Sequence, residues 1–143
     1  MHPNQLLAEK YEYLLLEKKL DDKSRKELLS KFVQYAFKKL GINKTPKVVL
    51  NHNDTYASNA RSFGQFIPSE NKIVVVAANR NLADILRTLG HELVHCKQME
   101  DGRITLNNAR IAGKDGSELE NEANARAAVL MREFGRDNPN IFE

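Results

Sequence analysis

Residues 81–98 read NLADILRTLGHELVHCKQ, and this stretch decides how the chain is to be understood. Leu82, Ile85, Leu86, Leu89 and Leu93 recur at helical spacing and form one apolar stripe. Asn81 stands before the stripe as an N-cap, with Asp84 three residues on in the first turn. The stretch therefore predicts a core helix over 81–98. That helix carries His91-Glu92-Leu93-Val94-His95. Histidines four apart on a helix share a face, so both imidazoles can hold one metal ion. Glu92 sits where it can take a proton from a metal-activated water. Gly90 leaves room beside the first histidine. The competing reading is two ordinary helix histidines flanking an exposed glutamate, and the capped, amphipathic context weighs against it.

The rest of the composition narrows the field. At 143 residues, with 41% hydrophobic and 29% charged, the chain suits one soluble domain spanning 1–143. Mean hydropathy is -0.54, and no apolar run approaches the ~20 residues of a membrane span. The N-terminus lacks a basic segment followed by a long apolar core, so no signal peptide is expected and a cytoplasmic location is. Cys96 is the one cysteine. It cannot form an internal disulfide, and its place about 100° round the helix from His95 suits packing better than metal binding. The net charge of +3 does not argue for nucleic acid on its own.

Outward from the motif, the pattern predicts an α+β fold. Residues 4–20 read as a helix. Ser24 with Glu27 matches a capping box opening a second helix, with Leu28, Leu29, Phe32, Val33, Ala36, Phe37 and Leu40 on one face and Gly41 ending it. These two helices form a hairpin scaffold over 1–41. A small sheet of about three strands is expected over 47–77. Lys47–Leu50 is one strand. Residues 61–67 are a second, weakened or bulged at Gly64. Lys72–Ala77 is a third, buried on both faces. Pro68-Ser69-Glu70-Asn71 turns the last two into a hairpin. The polar stretch after the motif helix suits a loop over a site. Ser117 opens a last helix to about Gly135, and the tail from Arg136 is expected to be loosely held.

A catalytic zinc takes three protein ligands and keeps a position for water, so a third ligand is needed. Glu118, Glu120 and Glu122 are the downstream candidates. Leu119, Ala123, Ala127, Leu130 and Phe134 define the buried face of the last helix. At 100° per residue, Glu120 lies roughly 60° from the centre of that face, Glu122 roughly 100° and Glu118 roughly 140°. Glu120 is thus best placed to look inward. Asn124 is one turn later on the same side and can support the ligands from behind.

With those residues in place, the chain resembles the gluzincins, zinc peptidases whose third ligand is a glutamate. The resemblance is carried by HELVH followed by Glu120-Asn121-Glu122-Ala123-Asn124, an E-x-x-A-N motif. Over roughly 61–134 the texture is similar to the small ImmA/IrrE-like mini-gluzincins. The resemblance implies a minimal zincin-like core, the small sheet packed on the N-terminal helices. It implies one Zn2+ held by His91, His95 and Glu120, with Asn124 orienting His91 and Glu92 as general base. Many branches of the family carry Asp where Asn124 stands, which would leave His91 slightly less basic here. The gap from His95 to Glu120 is short, so the larger gluzincins' downstream lobe is not expected. SprT-like peptidases also carry HExxH but usually complete the site with a third His. Only His2 and His52 remain here, both upstream, and His52 reads as a solvent-exposed loop histidine.

The expected activity is hydrolysis of a peptide bond, as an endopeptidase acting on a peptide or protein substrate. Tyr56, Arg61, His52 and Arg110 are the candidates for donating to the developing oxyanion. The strand near Phe63–Ile67 is a candidate edge for an extended substrate. Two alternatives stay open. One is a non-catalytic zinc module that binds peptide, and the other a zinc hydrolase acting on cell-wall peptide.

Overall fold

Why β-branched residues 73–76 take the middle of a sheet is clear from what flanks them. The computed structural model describes residues 23–52, 63–108 and 117–142. Strand β1 (Lys47–Asn51) pairs parallel with β3 (Lys72–Val76), and β2 (Gly64–Ile67) pairs antiparallel with β3's other side, giving the order β1-β3-β2. The β2–β3 connection is a short 3-10 turn, Pro68–Glu70, closed by Asn71 in the left-handed region at φ 46°. Asparagine tolerates that conformation. Its side-chain amide also donates to Thr45 O at 3.3 Å, just before β1. The expected hairpin is therefore present. Burial of β3 on both faces holds only towards its C-terminal end. Ile73 and Val75 join the core and Val76, on the other face, is 1% exposed, whereas Lys72 and Val74 stay half-buried.

Three helices pack with this sheet among the described residues: α1 (Lys23–Leu40), α2 (Leu82–Glu100) and α3 (Glu118–Asp137). In α1 the residues Leu28, Leu29, Phe32, Val33, Ala36 and Leu40 are buried, as their spacing requires. Ser24 already lies within the helix, so it is not the N-cap that the capping box implied. Its end follows the Schellman pattern. Gly41 adopts φ 71°, Ile42 N donates to Phe37 O at 3.0 Å and Gly41 N to Lys38 O at 3.3 Å. The helix read over 4–20 lies outside the described residues. None of the described helices is long and apolar enough to cross a membrane.

Helix α2 runs through the centre. Asn81 caps it, its side chain accepting from Asp84 N at 3.0 Å. Gly90 faces both other helices. A Cβ there would stand 3.3 Å from Phe32 Cζ and 3.7 Å from Ala127 Cβ. The space beside His91 is thus filled by α1 and α3. Phe32 meets Phe134 edge-on at 5.3 Å between centroids, tying those helices across α2.

The C-terminal segment departs from expectation. Instead of hanging loose, Pro139–Phe142 forms a 3-10 turn and buries Ile141, which is 1% exposed. Gly135 makes this fit possible. A Cβ on it would fall 2.7 Å from Phe142 Cε2, so the bare helix surface accepts the returning ring. Apolar Ile141 gains burial by folding back while Phe142 stays exposed, a tertiary opportunity invisible in a polar-looking tail.

Candidate metal centre

The centre lies where α2 and α3 cross in front of β2. His91 and His95 are one turn apart on α2, with ring centroids 4.8 Å apart and planes at 84°. One ligand atom each from His91, Glu92 and His95 falls within 4.8 Å of the others, an arrangement compatible with a metal ion. Glu120 enters from the first turn of α3. Ser117 caps that turn, its Oγ accepting from Glu120 N at 3.1 Å. The Glu120 carboxylate then bridges both rings. Oε1 lies 2.8 Å from His91 Nε2 and Oε2 lies 2.9 Å from His95 Nε2. Two imidazole nitrogens and a carboxylate converge from two helices. His91 is also hydrogen-bonded by the Asn124 side chain, and burial, the largest influence on it, holds its pKa below the ordinary histidine range.

Glu92 faces β2. It is 7% exposed, and burial together with the neighbouring Glu120 charge pushes its pKa up to about 8, against a hydrogen bond donated by the Phe66 backbone N–H. Gly64 lets this strand come so close. A Cβ at Gly64 would sit 2.4 Å from Thr88 Cγ2 and 3.3 Å from Glu92 Cγ. Thr88 cannot simply swing aside, because Arg80 holds its Oγ1 at 2.7 Å while also donating to Val76 O and Asp84 O. Gly64 therefore serves close approach of strand to helix, not the bulge its sequence position suggested.

The three candidate glutamates of α3 separate as their helical angles imply. Glu120 reaches the histidines and Glu118 is exposed. Glu122 turns to a second cluster that sequence reasoning missed. There Gln98, 1% exposed, donates from Nε2 to Leu119 O at 3.0 Å and to Glu122 Oε1 at 3.2 Å, while its Oε1 meets His95 Nδ1 at 2.8 Å. Arg103 Nη1 donates to both Glu122 oxygens at 2.8 and 2.7 Å. Burial works against ionisation of Glu122, yet the hydrogen bonds from Arg103 and Gln98 and the Arg103 charge hold its pKa below the usual range. The one signal for Gln98 in the sequence was its place three residues after His95, on the same helix face.

Other candidates fare differently. His52 is buried directly after β1, at 8% exposure, so it is not a solvent-exposed loop histidine. Its strand-end position carries it into the protein. Tyr56, Arg61 and Arg110, like His2, lie outside the described residues. Cys96 packs in the core, its thiol donating to Asn71 Oδ1 at 3.6 Å and pushed by burial to a pKa of about 12. Compared with known proteins, the chain matches no family model, no curated protein and no solved structure.

Proposed function

We propose that this chain is a zinc-dependent metallopeptidase of gluzincin type with a minimal, zincin-like core. One observation carries the reading: His91 Nε2 and His95 Nε2 on α2 converge on the two oxygens of Glu120 on α3, with Glu92 alongside. A donor set of two imidazoles and one carboxylate is that of hydrolytic zinc sites, so these residues fit the ion. When bound, zinc supplies Lewis acidity, bringing a water's pKa to about 7.

The chain's own residues supply the rest. Glu92 accepts the proton of the attacking water and returns it to the leaving amine. Its carboxyl is buried and raised to about 8 by burial and by Glu120, and a cation held by Glu120 offsets the second cause. The Phe66 N–H keeps the carboxylate turned towards the histidines. Among the described residues strand β2 pairs with β3 on one side, and its other edge, next to Glu92, is the place we assign to an extended peptide. Substrate would thereby lie alongside the base.

Two measurements test this. Reconstituted protein should hold one zinc per chain, and Glu120→Ala should lose it. Cleavage of unfolded protein substrates should fall by about 10²–10⁴-fold in Glu92→Gln, the usual worth of a general base. Absence of stoichiometric zinc in the wild type, or undiminished cleavage in Glu92→Gln, sinks the proposal.

A further inference from the structure

Gln98 lies outside the donor set, yet it is the most buried polar residue of the described core, at 1% exposure. Its amide has one orientation. The Nε2 end faces Leu119 O and Glu122 Oε1. A backbone carbonyl and an ionised carboxylate only accept. The amide cannot be flipped without setting oxygen against oxygen at both contacts. Arg103 donates to both Glu122 oxygens, so both act as acceptors. Arg103 thus fixes Glu122, Glu122 fixes Gln98, and Gln98 must present Oε1 to His95 Nδ1 at 2.8 Å.

That contact dictates where the imidazole proton sits. An amide oxygen needs a donor, so Nδ1 carries hydrogen. The neutral ring then has only a lone pair at Nε2. This lone pair points at Glu120 Oε2, 2.9 Å away. Two electron-rich atoms at that distance are held together by a positive charge between them, a proton or a metal cation. We infer that Gln98 is a positioning residue that locks His95 in its Nδ1–H tautomer, reserving Nε2 for a cation shared with Glu120. The inference rests on the metal reading above and deepens it. The same amide also pins the first turn of α3 through Leu119, one residue before Glu120, so one side chain sets the tautomer of one ligand and the height of another.

The test uses the full-length chain and zinc alone. Outer partners of this kind are worth about 10–100-fold in metal affinity, so Gln98→Met, similar in size but without hydrogen bonds, should bind zinc 10–100-fold more weakly in chelator competition. Long-range 1H–15N correlation on the zinc-loaded wild type should show His95 protonated at Nδ1. Zinc affinity unchanged within threefold in Gln98→Met overturns the inference. If Gln98→Met does not fold, the wild-type spectrum still decides, since a proton on His95 Nε2 refutes the tautomer lock. Failure of the wild type to bind zinc would instead remove the metal reading itself.

Discussion

Substituting Glu92 with Gln should stabilise the metal-free protein, and only above a defined pH. Burial, then the charge of Glu120, raises the Glu92 carboxyl from 4.5 to about 8. Between those values the folded protein holds a proton that the unfolded chain has released. Stability therefore falls as pH rises through that window. The contribution is complete below about 4.5 and lost above about 8. A span of roughly 3.5 in pH at ~1.4 kcal/mol each sets a ceiling of about 5 kcal/mol. That is a large share of a domain's usual 5–15 kcal/mol or so. The amide is nearly isosteric and its oxygen can still accept from Phe66 N–H, so Gln avoids the charge without opening a cavity. The assay is thermal unfolding of chelator-treated wild type and Glu92→Gln from pH 4 to 9. The two should melt together near pH 4 and diverge to about 10 °C or more by pH 8.5. Zinc should close most of the gap, because a cation beside Glu92 favours its charged form. A difference that is constant with pH, or zero at pH 8.5, would refute the reasoning about burial.

Two further substitutions probe how the site is supported. Gly64→Ala should destabilise by about 1–3 kcal/mol through overpacking and loosen β2 from Glu92; because the clash is with Thr88 Cγ2, adding Thr88→Ser should recover most of it while keeping the hydroxyl for Arg80. Denaturant melts of both variants check this, and additive losses in the double variant would contradict the contact. Ile141→Ala should cost about 2–5 kcal/mol, as for other buried residues, whereas a loosely held tail would make it neutral in the same melts.

The tail shows where reading a sequence runs short. Nothing local in residues 136–142 announces order. Ile141 is buried because the chain folds back against α3 near Gly135. Local signals fared better where the physics is local. The Asn81 and Ser117 caps, the Gly41 stop and the apolar stripe of α2 are each legible within one or two turns, because they answer unsatisfied backbone groups or a 3.6-residue period. The strands were also legible, but not that β3's second face is buried at Val76 and only half-buried at Val74, since that depends on what covers each position.

The candidate site divides the same way. His91, Glu92 and His95 share one helix face by geometry alone, so their proximity was set by four residues of spacing. The inward angle of Glu120 followed from the apolar pattern of α3. What the sequence could not determine was that α3's first turn would meet α2 at the height of those histidines, with Glu120 bridging both rings. Nor could it place Gln98, Glu122 and Arg103 in one chain of hydrogen bonds, or bring Gly64 and Phe66 against Glu92. Those contacts join residues distant in the chain, and only helix crossing and strand docking decide them. Sequence periodicity assigns each side chain a direction; the packing of three helices on one sheet decides which directions converge.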